Sequence, residues 1–394
     1  MREESLIRKV KLLIESYSFA QPFSNYLREH FRKHPEMGAR DRRETREWSF
    51  NLLRIGKNLP DLSFEKRLCA ACFLCSNIMS PALSYLIKTF SEFRDTDIEK
   101  PLEAKIEMVM EKYSSFTIEN IFPMHDSLSS QIKRKEWFLS FLKKPGVWIW
   151  IRKKYREEVI KEFSEKNISF KTDEDPLILS FQPDVALEKT VAYQNGYFEV
   201  QDKYSQLTSQ FFRPNLNEYW WDACAGAGGK SLLLKEEAPD IRIFATDIRE
   251  SILKTYVERM RKSGYQSPEI KVLDLTKSFI NSYDQKFDGI IADVPCSGSG
   301  TWSRSPEWLQ KDLKERLTEH YIPLQRSIVS AVLPTLKAGF PFIFITCSVF
   351  KKENEENIEY FINNLPLRVE KTAYLDGYES GGDTLFIARL TKVF

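Results

Sequence analysis

Residues 287–300 read FDGIIADVPCSGSG, an apolar run that ends in an acid, a proline, a cysteine and a glycine-rich turn. Short, continuously apolar runs of this kind belong to parallel sheets covered on both faces, and such sheets bind ligands beyond the carboxyl ends of their strands. A second run, PFIFI at 341–345, ends in Thr346-Cys347-Ser348. Cys296 and Cys347 are therefore expected at the rim of one crevice. A single free cysteine is usually a small buried core residue. Two at neighbouring strand ends point to chemistry.

Outward from these runs, everything after Asn215 alternates between the two periodicities. The strands are EYWWDA (218–223), IRIFATD (241–247), EIKVLDL (269–275), FDGIIADV (287–294) and PFIFIT (341–346), followed by a final pair, LRVEKTAYL (367–375) and TLFIARL (384–390). Helices are expected from Gly229, over 250–264, between 301 and about Leu336, and over 353–365. This is a doubly wound α/β pattern. Residues 1 to about 140 carry helical periodicity throughout, as in ESLIRKVKLLIESY and RETREWSFNLLRIG. Between them the texture is mixed, with VWIWI and LILSF as strands, KKYREEVIKEFSEKN as a helix ended by Asn167, and YFEVQDKYSQLTSQFF as a strand turning into a helix. The expected organisation is an all-α domain over 1–142, a small α+β module over 143–214 and an α/β domain over 215–394.

The first strand of the α/β domain runs into Asp222-Ala223-Cys224-Ala225-Gly226-Ala227-Gly228-Gly229-Lys230-Ser231. Glycines at a strand-to-helix turn let a ligand approach the backbone, and the helix start that follows favours anionic groups. A phosphate-binding loop would need GxxxxGK followed by Ser or Thr, and Cys224 stands where its first glycine belongs, which disfavours a nucleoside triphosphate. Acids recur at the strand ends: Asp222, Asp247 with Arg249 two residues on, Asp274 and Asp293. An acid after the second strand suits ribose hydroxyls and one after the third suits an exocyclic adenine amine, so the rim fits an adenosine with a free amino-acid end. Each acid taken singly also fits a helix cap.

The chain has 394 residues, 42% of them apolar and 13% aromatic, too many for one ordinary core. No apolar run approaches the length of a membrane span, and the amino-terminal MREESLIRKVKLLIESY is an amphipathic charged helix without a signal core. Six cysteines make no disulfide framework, so a cytoplasmic protein is expected. The net charge of +2 is unevenly divided, with residues 1–171 at +8 and the remainder at −6. Residues 131–171 hold 12 basic and 5 acidic side chains, including Lys133-Arg134-Lys135 and Arg152-Lys153-Lys154-Tyr155-Arg156, interleaved with Trp137, Trp148 and Trp150. Basic groups among aromatics suit phosphate neutralisation and base stacking; a solvated helix face over core tryptophans has the same composition. Cys69, Cys72 and Cys75 read as the buried stripe of a helix, and His30, His34, His125 and His320 form no zinc spacing, so no metal is expected.

Taken together, Asp222-x-Cys224-Ala225-Gly226-x-Gly228-Gly229-Lys230-Ser231, Asp293-x-Pro295-Cys296-Ser297-Gly298-x-Gly300 and Thr346-Cys347-Ser348 with Glu353 and Asn354 resemble three signatures of the Fmu/Sun-type RNA cytosine-5 methyltransferases. The segment Gly196-Tyr197-Phe198-x-Val200-Gln201-Asp202-x-x-Ser205-Gln206 is similar to the one leading into that family's catalytic fold, and Gly381-Gly382-Asp383 to its closing element. Residues 1–140 bear a looser likeness to the NusB-like helical domain of its ribosomal RNA members. The family usually has Ala-Pro where this chain has Gly226-Ala227.

The resemblance implies a Rossmann-like class I methyltransferase domain with a mixed seven-stranded sheet and S-adenosylmethionine as cofactor, held around Asp222, Cys224, Ala225, Gly226, Gly228, Gly229, Lys230, Asp247, Arg249, Asp274 and Asp293. It implies RNA as substrate, most of all 16S ribosomal RNA or a small-subunit precursor, with transfer RNA as the alternative, and a monomer with no membrane partner. It also implies why two cysteines are wanted. Carbon 5 of cytosine is a poor nucleophile, so a thiolate, Cys347 by the family pattern, adds to carbon 6, and the Cys296 thiol assists release. Asp293 would hydrogen-bond the ring nitrogen and Lys230 would orient that carboxylate. A DNA cytosine-5 enzyme would need only the Pro-Cys thiol, and an amino-group methyltransferase would place an aromatic where Cys296 stands. A non-enzymatic ribosome-assembly factor would have lost these residues, and the chain has all of them.

Overall fold

The structure, a computed structural model, describes residues 2–122, 124–183, 185–266, 268–277, 286–312 and 314–394. The chain packs into two compact units. Three consecutive domains do not describe them, because short segments cross between the units: residues 302–312 belong to the helical unit with 1–126 and 133–144, whereas 127–132 belong with 145–301 and 313–394. Burial explains the first exchange. Trp302 is fully enclosed in the helical unit, edge-on to Phe122 at 5.0 Å, and Arg54 donates to the carbonyls of both Phe141 and Ser303 at 2.8 and 2.9 Å.

The helical unit is built as its periodicity predicts. Helices span Arg2–Glu15, Phe23–Lys33, Ala39–Arg54, Phe64–Cys75, Pro81–Phe90, Leu102–Lys112 and Arg134–Phe141. Ser63 and Ser80 cap their helices by accepting from the backbone of Lys66 and Leu83. The helix at Phe23 lacks a side-chain cap of its own, and Glu307 supplies one by accepting from the Phe23 amide at 3.0 Å. All three cysteines of Phe64–Cys75 are buried, and burial pushes the Cys69 thiol up to about 11. Among the described residues no helix is long and apolar enough to cross a membrane.

In the α/β unit, strands β1 (Val147–Ile151), β2 (Lys171–Thr172), β3 (Ile178–Phe181) and β4 (Phe198–Val200) form an antiparallel sheet in the order β2-β3-β1-β4. Strands β5 (Tyr219–Asp222), β6 (Arg242–Asp247), β7 (Glu269–Val272), β8 (Gly289–Asp293), β9 (Pro341–Thr346), β10 (Leu367–Leu375) and β11 (Leu385–Lys392) form a seven-stranded sheet in the order β10-β11-β9-β8-β5-β6-β7. Strands β5 to β9 are parallel, and β11 lies antiparallel between β9 and β10. The mixed seven-stranded α/β fold is the one expected. Its strand order reverses between β5 and β8, the point at which open α/β sheets take their ligands. Gly289 at the start of β8 is required there: a Cβ would stand 2.3 Å from the Trp220 ring on β5.

The basic run near residue 152 is corrected by this packing. Arg152 is buried, with its guanidinium on Glu199, Glu236 and the Gly196 carbonyl, because a charge carried into a core survives only with full pairing. Trp148 and Trp150 sit in the core beside Leu232 and Tyr256, and Trp137 is buried in the helical unit. These tryptophans are core residues, not stacking platforms. Lys133, Arg134, Lys135, Lys153 and Lys154 remain exposed.

Candidate active site

Strands β8 and β9 run parallel with Asp293 opposite Ile345, and the Val294 amide extends the ladder to the Ile345 carbonyl at 3.1 Å. Their carboxyl ends therefore release two loops side by side, and the Cys296 and Cys347 sulfurs stand 3.3 Å apart. The loop after Cys296 folds back onto Cys347: the Gly300 amide donates to the Cys347 carbonyl, and the Thr384 amide donates to the Gly300 carbonyl, both at 2.9 Å. Only glycine fits position 300, since a Cβ would come within 1.9 Å of the Thr384 carbonyl oxygen. Both cysteine residues are half-buried. The Cys347 sulfur beside it, and then burial, hold the Cys296 thiol protonated well above the ordinary cysteine range. A thiol pair this close gives up a second proton far less readily than a first.

Beneath the thiols lies a polar network that the sequence reading did not assign. The Glu353 carboxylate is fully buried and accepts from the Ser297 amide at 2.9 Å, the Ser348 hydroxyl at 2.5 Å and the Gln325 amide group at 2.9 Å. Gln325 also donates to the Pro295 carbonyl and is itself held by Asn357. Burial outweighs these donors and raises the proton affinity of Glu353. Gln325 was legible in principle: it lies on the buried stripe of Ile328, Val329 and Val332 in helix Ile322–Val332, where a polar side chain needs a partner.

Asp293, at the end of β8, pairs with Lys230 at 3.2 Å. Lys230 is buried at the start of helix Gly229–Glu237 and donates also to the Ser205 hydroxyl at 2.7 Å. Ser205 in turn accepts from Gln201, whose carbonyl is held by Trp150. Lys230 is thus no solvated helix-start charge. Ser205 and Gln201 lie in the quoted Gly196–Gln206 segment, but their link to Lys230 appears only in three dimensions.

On the other side of β5, the turn from Asp222 to Gly229 wraps over the carboxyl end of β6. The Ala225 amide donates to the Thr246 carbonyl, and the Gly226 amide donates to Asp247 at 3.0 Å. Asp247 also accepts from the backbone and guanidinium of Arg249, which keep its carboxyl below the ordinary range against the opposing effect of burial. Gly226 has φ +52° and Gly228 φ +84°. Glycine at 226 avoids the left-handed strain, on the order of 1 kcal/mol, that a side chain would meet at this φ. Asp222 accepts from Ser231 at 2.7 Å through one oxygen, while the other is buried without a hydrogen-bond partner. Burial, with Asp293 and Asp247 nearby, raises it to about 7. Cys224 is half-buried in the same turn, its thiol pushed up by burial. Asp274 is occupied locally, accepting from the amide and hydroxyl of Thr276 and pairing with Lys277; none of these bonds reaches the other acids.

Residues 209–386, the segment that carries both thiols and both acid-bearing turns, match the family model described as 16S rRNA methyltransferase RsmB/F. This segment is similar to the RsmB/F methyltransferases, as the resemblance to the Fmu/Sun signatures implied. The chain is 29% identical over 263 residues to the ribosomal RNA small subunit methyltransferase B of Enterobacter sp. strain 638, an alignment that takes in 63% of this chain and 60% of the relative. The chain thus spans less than two thirds of that relative's length. In fold it is similar to the crystal structure of PH0851, at a TM-score of 0.71 and 22% identity over 98% of this chain and 97% of the other. It is also similar to NSun6 from Pyrococcus horikoshii, solved with SFG, at a TM-score of 0.61 and 17% identity over 70% and 98%. The chain shares the fold of these structures, and nothing among these likenesses assigns the helical unit to a NusB-like domain.

Proposed function

We propose that this protein methylates carbon 5 of a cytosine in RNA, with S-adenosylmethionine as methyl donor and ribosomal RNA of the small subunit as substrate. The observation that carries the reading is the pair of sulfurs 3.3 Å apart at adjacent strand ends, on the same sheet rim as the Lys230–Asp293 pair. Its likeness to the RsmB/F methyltransferases, and the ribosomal RNA methyltransferase name of the relative above, support the choice of substrate.

The residues at the β5 and β6 ends fit the cofactor. Asp247 presents an anchored carboxylate that would accept from ribose hydroxyls, Gly226 and Gly228 leave the turn without side chains, and the unpartnered Asp222 oxygen marks a polar demand still unmet. Asp222, Asp247 and Asp293 together favour a ligand with cationic groups. Bound there, S-adenosylmethionine would supply an electrophilic methyl group.

In this mechanism the Cys347 thiolate adds to carbon 6, forming the S–C6 bond and moving the C5–C6 π electrons toward carbon 5 and ring N3. Asp293, held in place by its ion pair with Lys230, hydrogen-bonds N3 as that charge develops. Attack also turns the Cys347 thiolate into a thioether, leaving the Cys296 proton with no anionic sulfur beside it. Once that proton has passed to N3, the Cys296 thiolate takes the carbon 5 proton, the S–C6 bond breaks, and Cys347 leaves as the thiolate from which it started. One proton is released per methylation.

The two thiols are separated on one denaturing gel. Cys347→Ala forms no covalent RNA adduct and transfers no methyl group. Cys296→Ala attacks and methylates but stalls, accumulating a protein–RNA species that requires cofactor and vanishes in the double variant. Trapping by Cys347→Ala instead would reverse the roles, and full activity in both variants would end the covalent reading.

A further inference from the structure

We propose that Glu353 is the positioning residue that holds the two thiols beside each other, clamping the Cys296 loop and the Cys347 loop to a single buried carboxylate. The proposal rests on the covalent reading above and names the group that makes two-thiol chemistry geometrically possible. The residue immediately after each cysteine donates to Glu353: the Ser297 backbone amide to one oxygen and the Ser348 hydroxyl to the other. The Cys296 loop is gripped a second time on its other flank, where Gln325 bonds both the Pro295 carbonyl and the same Glu353 oxygen. Three serine hydroxyls close the gap between the loops, with Ser297, Ser299 and Ser348 mutually 3.1 to 3.2 Å apart. Ser299 and Ser348 then accept from the Val349 and Phe350 amides and so fix the chain after Cys347.

The alternative is that Glu353 merely satisfies buried donors. Its anchorage argues for more: it ends the short helical turn Lys351–Glu353, and the next residue, Asn354, donates to the Ser348 carbonyl and accepts from Thr346. Thus Glu353 and Asn354 hold Cys347 from both of its neighbours, and of these two residues Glu353 also reaches across to the Cys296 loop. Strand pairing ends at Val294 and Ile345, so the distance between the sulfurs depends on the loops that this carboxylate joins.

The test reads sulfur spacing without RNA. Phenylarsine oxide captures a close dithiol by forming two As–S bonds, the arsenic oxygen leaving as water with the two thiol protons. Capture rates followed by mass spectrometry in excess monothiol, with Cys296→Ala and Cys347→Ala as single-thiol baselines, report whether both sulfurs reach one atom. Glu353→Gln keeps the shape but cannot accept from both Ser297 and Ser348 as the carboxylate does. It is expected to slow capture at least tenfold and to lower kcat at least tenfold, with KM for RNA within twofold of wild type. Capture within twofold of wild type in a folded Glu353→Gln protein overturns the proposal. If that variant does not fold, Ser348→Ala, which cuts the Cys347 arm together with the serine contacts, is compared with Ser299→Ala, which cuts serine contacts but neither arm: capture at least threefold slower in Ser348→Ala than in Ser299→Ala supports the clamp, and equal rates overturn it. Methyl transfer by Cys347→Ala would overturn the covalent reading instead, whatever the capture rates.

Discussion

Replacing Asp222 with Asn should make the α/β unit more stable than wild type at neutral and alkaline pH, and the gain should vanish in acid. Asp222 lies at the end of β5 with one oxygen on Ser231 and the other unpartnered, and burial raises it from the ordinary 3.8 to about 7. The sign follows from linkage. A carboxyl raised on folding favours the folded state below its unfolded value of 3.8, and that contribution is lost as pH rises toward 7. At 1.36 kcal/mol per tenfold change, the full loss is about 4 kcal/mol, reached above pH 7. Asn can still accept from Ser231 but does not ionise, so it escapes this loss. Its amide N–H groups bring a penalty of about 1–3 kcal/mol, which is independent of pH. The quantity to measure is therefore the stability difference between Asp222→Asn and wild type across pH 4 to 8, by denaturant titration of cofactor-free protein with the fluorescence of Trp220 and Trp221 as probe. The difference should move in favour of the variant by several kcal/mol, most steeply between pH 4 and 7. A flat difference would refute the assignment of a buried, largely unpaired carboxyl at this position.

Further outcomes follow from the same geometry. Asp247→Ala should cost S-adenosylmethionine about 1–3 kcal/mol of binding, roughly a five- to 150-fold loss by calorimetry; unchanged affinity would remove Asp247 from the site. Arg152→Ala leaves Glu199 and Glu236 short of their buried partner and should destabilise by about 3–5 kcal/mol in thermal melts, whereas Lys153→Glu with Lys154→Glu should leave stability intact. If those two exposed lysines meet phosphate, the double reversal should flatten the salt dependence of RNA binding by about one unit per lost contact. Gly289→Ala should cost about 1–3 kcal/mol by overpacking against Trp220, and a melting temperature equal to wild type would contradict that contact.

Much of the fold was open to reading because its signals are local. An apolar run such as PFIFIT can be satisfied only by a covered strand, and it forms β9 with all six residues buried. The glycine-rich turns, the acids at strand ends and the two cysteines were equally visible, since strand direction alone decides which end of the sheet they share. The basic stretch behaved differently. Composition counts Arg152 and Lys153 alike, yet one is enclosed by two carboxylates and the other faces solvent, a difference set by residues 47 and 84 positions away.

By itself, then, the sequence determined an α/β sheet with two thiols, an aspartate and a lysine at its carboxyl rim, because side-chain period and turn chemistry act over a few neighbouring residues. Only the tertiary structure decided which distant groups meet. It brought Cys296 to Cys347 across 51 positions, joined the serine after each of them to Glu353, placed Ser205 on Lys230, and carried Trp302 and its neighbours into the helical unit. Those choices depend on strand order, loop closure and the need of each buried polar group for a partner. They are properties of the packed chain as a whole, and no window of sequence contains them.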